Sequence, residues 1–161
     1  MFKRLLVPLD GSRFASRALR YATEVAQRFS AEVILIQAIK PATPVVDGGA
    51  LVGVSPAAAE IAVQAALEAD KRNAARARRY LSGKVGAIRA RRIQSSYHVL
   101  MGDAARSIVE FSEKENIDLV VMTTRGKSGL KRALMGSVAD LVIRESGKPV
   151  LVIRPQTSSK K

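Results

Sequence analysis

Asp118-Leu119-Val120-Val121-Met122 runs directly into Thr123-Thr124-Arg125-Gly126-Lys127-Ser128-Gly129, and ten residues after Gly126 the chain reads Gly136-Ser137-Val138-Ala139. The apolar run predicts a buried parallel strand. The pattern from Ser137 to Arg144 predicts a helix. Between them lies a glycine-rich turn. Such turns expose backbone N–H groups, and the dipole of the following helix adds partial positive charge. Together these form a binding place for anions, phosphate above all.

Working outward, the same alternation continues in both directions. Arg4 to Pro8 reads as a short strand ending at Leu9-Asp10-Gly11-Ser12. An amphipathic helix follows, with Phe14, Ala18, Tyr21, Ala22, Val25 and Phe29 at three- and four-residue spacing; Asp10 and Ser12 are its candidate caps. Val33 to Ile39 is apolar except for Gln37, as expected of a strand covered on both faces. Pro41 to Pro56 reads as an irregular loop with unusual apolar content. Ala57 to Leu81 predicts a long helix whose buried stripe is Val63, Leu67, Ala74, Ala77 and Leu81, interrupted by Asp70. Arg91 to Val99 reads as a weaker strand. Gly102-Asp103 turns into a helix facing inward through Ala105, Ile108 and Val109, with Asn116 at its end. Gly147-Lys148-Pro149 stops the last helix, and Val150 to Ile153 is the final strand.

This order predicts an α/β fold: a five-stranded parallel sheet with helices on both faces, Rossmann-like in plan. In such sheets ligands bind outside the carboxyl ends of the strands, where strand order reverses. Asp10-Gly11-Ser12 and the Thr123 to Ser137 segment are the two stretches expected there. Residues 1–155 form the expected single domain, and 156–161 a basic flexible tail.

Composition narrows the chemistry. The 161 residues include no cysteine, so disulfides, thiolate metal sites and cysteine nucleophiles are excluded. Apolar residues make up 47%, enough for a substantial core. The start Met1-Phe2-Lys3-Arg4 and the short run after it do not have the form of a signal peptide. No stretch approaches the roughly 20 apolar residues of a membrane span. A soluble, cytoplasmic protein with no membrane partner is expected. The formal charge of +13 would attract polyanions over distances limited by salt.

Several motif readings fail. Gly126-Lys127-Ser128 is not a P-loop, because the required glycine five residues earlier is Val121. No GxGxxG follows the first strand. The one histidine, His98, sits inside an expected strand and reads as an ordinary strand residue. What remains is Gly126, nine residues, then Gly136-Ser137. The glycines let backbone approach a phosphate chain, and Ser137 offers a hydroxyl and an N–H at a helix start.

The chain resembles the universal stress proteins of the single-domain, ATP-binding type. The resemblance covers nearly all of it: Leu6-Val7-Pro8-Leu9-Asp10-Gly11-Ser12 at the start, Gly102-Asp103 before a helix, and Gly136-Ser137-Val138-Ala139 through Lys148-Pro149-Val150-Leu151-Val152 at the end. The ATP-binding branch carries Gly-x2-Gly-x9-Gly-Ser/Thr. Here the second glycine is Gly126 and the third Gly136, followed by Ser137, while the first position is Thr123, which puts a side chain into the turn on the ribose side. The resemblance implies a fold of the adenine nucleotide alpha hydrolase type. It implies a site in which Pro8, Leu9 and Asp10 border the adenosine and Ala38 lies against adenine. Met122 and Thr123 approach adenine or ribose. Gly126, Gly136, Ser137 and Val138 hold the phosphates, with charge from Arg125. It implies ATP, ADP or AMP as ligand, with Mg2+ or Mn2+ carried on the phosphates, and a homodimer formed through the last strand.

The expected role is regulatory, with nucleotide occupancy changing shape or choice of partner. Hydrolysis is slow at most, because Thr123 to Ser137 contains no Asp, Glu or His to act as general base. Two other classes compete with this reading. An ATP-dependent activating enzyme would need a Ser-Gly-Gly signature or paired histidines, and neither is present. A charge-driven nucleic-acid module could use Arg72, Arg76 and Arg79 on one helical face and Arg89, Arg91 and Arg92 beyond. With three tyrosines and four phenylalanines there is little to stack bases on, so such binding is expected to be weak, non-specific and salt-sensitive.

Overall fold

Successive side chains of a strand point to opposite faces, and β1 (Arg4–Pro8) is apolar on both. Leu5 and Val7 are fully buried on one side and Leu6 on the other. A strand of this kind has to lie inside a sheet with both faces covered. The computed structural model, which describes residues 2–42, 55–124 and 135–154, places it at the centre. The other strands are β2 (Glu32–Ile39), β3 (Ser95–Met101), β4 (Leu119–Thr123) and β5 (Val150–Ile153). All pair in parallel, in the order β3-β2-β1-β4-β5. Leu5 lies opposite Val33 on one side and Leu119 on the other.

Four helices make the crossovers: α1 (Ala18–Phe29), α2 (Pro56–Arg89), α3 (Ala104–Lys114) and α4 (Ser137–Glu145). They divide the core in two. On one face α1 and α2 bury Ala18, Ala22, Leu81 and Val85 against Leu5, Val7, Val33, Leu35 and Val121. On the other, α3 and α4 bury Ile108, Phe111, Ala139 and Val142 against Leu6, Ile34, Ile36, Val120 and Met122. The expected α/β architecture is present.

Three elements differ in detail from the sequence reading. A 3-10 turn, Ala15–Arg17, precedes α1. The buried arc of α1 is Ala18, Ala22, Thr23 and Ala26, while Phe14, Tyr21 and Phe29 are exposed. Small residues let the helix lie close to the sheet, and the aromatic side chains that periodicity assigned inward are turned to the rim. There Phe29 meets Phe2 edge to face at 5.5 Å. Second, α2 runs to Arg89, and its buried residues are Ala77, Leu81, Val85 and Ile88. Leu67 is 41% exposed, in the half of the helix that precedes its buried residues. Third, β3 begins at Ser95. Arg92 takes φ 61°, and the arginines assigned to the strand belong to the turn before it. Arg89 donates to the Ser95 carbonyl at 2.7 and 3.1 Å, and Arg91 donates to Thr23 Oγ1 at 2.7 Å.

His98 lies in β3 with its ring 5.0 Å from that of Phe111. Asp70, which breaks the stripe of α2, accepts the Ala42 N–H at 2.7 Å and ties the chain after β2 to the helix. Most of the loop expected over Pro41 to Pro56, and the expected tail, lie outside the described residues, while Pro56 opens α2.

Candidate functional site

From β1 the chain crosses to β2 and then β3 on one side; it then returns past β1 to β4 and β5 on the other. The crossovers leave β1 and β4 in opposite directions, which opens a crevice between their carboxyl ends. A cavity of about 230 Å³ lies there. Its lining includes Pro8, Leu9, Asp10, Ala38, Met122, Thr123, Gly136, Ser137 and Val138. Residues far apart in the chain, which the family resemblance implied, thus line one cavity. Arg125 and Gly126 lie outside the described residues.

Each element brings its residues for a local reason. After β1, Leu9 donates its N–H to the Ile36 carbonyl at 2.8 Å, which carries the chain along β2 beyond the strand. The turn then closes on itself: Asp10 Oδ1 accepts the Ser12 N–H at 2.8 Å, and Ser12 Oγ accepts the Ala15 N–H at 3.0 Å. Gly11 sits at φ 82°, a conformation that glycine adopts without steric cost. Neither candidate cap caps α1, whose N-cap, Arg17, makes no side-chain cap hydrogen bond; Asp10 and Ser12 instead close the turn before it, and that turn brings Asp10 into the cavity lining.

On the opposite wall, β4 ends with Thr123 buried, and the Thr124 N–H donates to the Ile153 carbonyl at 3.1 Å. The Thr124 carbonyl accepts the Gly136 N–H at 2.8 Å. This bond joins the two ends of the glycine-rich segment. It also means that the Gly136 N–H is already engaged. Gly136 adopts φ −65° and ψ 147°, which any residue can take, and it lines the cavity.

The helix ends differ. Ser55 caps α2 by accepting from the Ala58 N–H, and Asp103 caps α3 by accepting from the N–H groups of Ala105 and Arg106. Among the described residues no side chain caps α4, and its first residues, Ser137, Val138 and Ala139, line the cavity. An uncapped helix start has unpaired N–H groups and partial positive charge. Here both face a cavity with apolar walls from Leu9, Ile36, Met122 and Val138.

Sequence reading missed Ala15, Ile36, Ala104, Ile108, Thr124 and Ala139. Ile36 was within reach, since it lies two residues before Ala38 and so on the same face of β2. Nothing local signals Ala104 and Ile108; they arrive because α3 packs on that face of β2.

The model of the universal stress protein family matches residues 1–154. The chain belongs to this family. Among its relatives, the universal stress protein MJ0531 of Methanocaldococcus jannaschii is 33% identical over 154 residues, covering 96% of this chain and 83% of the relative. YxiE of Bacillus subtilis is 27% identical over 154 residues, 96% of this chain and 100% of the relative. Among solved structures, protein MJ0577 superimposes with a TM-score of 0.81 at 25% identity, covering 98% of this chain and 99% of that one. A universal stress protein solved in complex with cAMP shares the fold at TM-score 0.62 and 23% identity, with 94% and 97% coverage. One from Archaeoglobus fulgidus in complex with dAMP does so at 0.60 and 24%, with 95% and 98% coverage.

Proposed function

We propose that this universal stress protein binds an adenine nucleotide, ATP or its ADP and AMP relatives, at the β1/β4 crevice, and acts in the stress response through nucleotide-dependent change of shape or partner. The uncapped start of α4, facing the cavity, carries the reading. It supplies N–H groups and a dipole where phosphates would lie. The apolar walls suit a flat base, the small Ala38 leaves room for it, and Asp10 can accept from ribose hydroxyls. At about 230 Å³ the cavity is smaller than ligand pockets commonly are. It accommodates the nucleoside part, with phosphates running out along the start of α4. The cAMP and dAMP complexes support an adenine ligand at the level of the fold. Arg125 and Gly126 join the proposed site on motif alone.

The ligand acts as a signal here more than as a substrate, since the Thr123 to Ser137 segment has no carboxylate or imidazole to activate water. Among the described residues no three His, Asp or Glu side chains converge as metal ligands. Mg2+ or Mn2+ would accompany the nucleotide, held by its phosphates. The proposed setting is the cytoplasm and the proposed assembly a homodimer through β5. No helix among the described residues is long and apolar enough to cross a membrane.

Gly136→Val tests the site. Its backbone angles accept valine, so the fold is expected to survive while the isopropyl group narrows the mouth. Titration calorimetry with ATP should show at least about a tenfold loss, the equivalent of one charge-assisted hydrogen bond. A folded variant with wild-type affinity would remove the nucleotide from this crevice.

A further inference from the structure

A second cavity, of about 410 Å³, opens on the other face of the sheet between the carboxyl end of β2 and the middle of α2. It touches the first only at Asp10 and Ala38. Its polar lining is mixed in sign. Lys40 and Arg76 bring positive charge, Asp10 a carboxylate, Gln37 and Asn73 amides, and Tyr80 a phenol already paired with Ser16 Oγ at 2.8 Å. Among the described residues neither Lys40 nor Arg76 makes an ion pair. Gln37 Oε1 is buried and has no hydrogen-bond partner among the described residues. Gln37 is also the residue that interrupts the apolar run of β2.

A buried acceptor without a donor is destabilising, and native folds seldom keep one unless something else satisfies it. Two cations, Lys40 from the end of β2 and Arg76 from α2, suit a doubly charged anion better than a single carboxylate. The acceptors Asp10 and Gln37 Oε1 call for hydroxyl donors on the same molecule. From this juxtaposition we propose that the β2/α2 cavity is a binding site for a phosphorylated sugar, its phosphate on Lys40 and Arg76 and its hydroxyls on Gln37 and Asp10. The site shares Asp10 with the nucleotide crevice, while its cations Lys40 and Arg76 and the amides Gln37 and Asn73 lie outside that crevice.

The test is a titration of the isotopically labelled full chain followed by backbone amide NMR, with ribose 5-phosphate as probe and inorganic phosphate and ribose as comparators. Ribose 5-phosphate should shift the amides of Gln37, Lys40, Asn73 and Arg76, and bind at least about tenfold tighter than either comparator. Arg76→Ala should weaken it by about tenfold or more. Asn73→Trp should fill the cavity and abolish the shifts while leaving ATP affinity unchanged; should that variant fail to fold, Arg76→Ala carries the test alone. Three results would overturn the proposal: no shifts at these residues, shifts confined to Met122, Ser137 and Val138, or inorganic phosphate binding as tightly as the sugar phosphate. Each leaves the ATP titration of Gly136→Val to stand or fall separately.

Discussion

Asp10, Asp103 and Asp118 each follow or precede a strand, and each accepts backbone N–H groups. Asp118 has the longest reach. Its Oδ2 accepts from the N–H groups of Lys3 and Arg4 at 2.8 and 2.9 Å, and its own N–H returns a bond to the Arg4 carbonyl at 3.0 Å. The start of β4 is thereby fastened to the start of β1, the pair whose other ends form the crevice. The two backbone bonds hold the Asp118 carboxyl below its ordinary value. A lowered folded pKa means that the unfolded chain binds the proton more readily. The stabilisation is therefore complete above the ordinary carboxylate pKa of about 3.9 and is lost as pH falls through the lowered one. Asp118→Ala should cost about 1–2 kcal/mol at pH 7, by analogy with a lost helix cap. In urea unfolding the gap between wild type and variant should narrow below about pH 4. A gap independent of pH would contradict this account of Asp118.

At the scale of elements, α2 shows where periodicity stops being informative. Val63, Leu67, Ala74, Ala77 and Leu81 do share one face of the helix. Only the later part of that face meets the sheet, because the helix is longer than the strands it covers. Leu81 is fully buried and Leu67 is 41% exposed. Leu81→Ala should cost about 2–5 kcal/mol, as a core truncation. Leu67→Ala should cost less than about 1 kcal/mol, since less area leaves water. Chemical denaturation of the two variants separates them; equal costs would mean that the first half of α2 is as well covered as the second. In α1 the departure from periodicity has a different cause. Hydrophobicity ranks phenylalanine above alanine, yet close helix-to-sheet contact selects the small residue. The α4 start is legible because Gly136-Ser137 is a local signal; α1 also starts without a side-chain cap, and what sets α4 apart is that its first residues line the crevice.

For the molecule as a whole, charge and edges decide how it meets others. The +13 charge is spread widely, and part of it is structural. Arg89 and Arg91 hold the turn into β3, and Arg4 pairs with Glu32 and Glu115. Arg72, Arg76 and Arg79 remain exposed on α2. The strands β3 and β5 are the sheet edges. β5 is four residues long, and its Leu151 is 36% exposed. An apolar edge is a template for pairing. For the proposed homodimer, Leu151→Lys should shift light scattering from dimer toward monomer without unfolding the chain, because lysine at an exposed edge position opposes pairing. A wild type that is monomeric at tens of micromolar would rule out this assembly.

The sequence by itself determined the element order, the strands apolar on both faces and the helix beginning at Ser137. Each is written in contiguous residues, where propensity, capping and period two or 3.6 act over a few positions. It also carried the family, through segments spread along the chain. Only the tertiary structure decided which face of α1 is buried, how much of α2 is covered, and that Ala104 and Ile108 reach the crevice. It alone placed Gln37, Lys40, Asn73 and Arg76 around a second cavity. These depend on how long one element is beside another and how closely they approach. Such distances are set by packing between segments remote in sequence, and no local pattern records them.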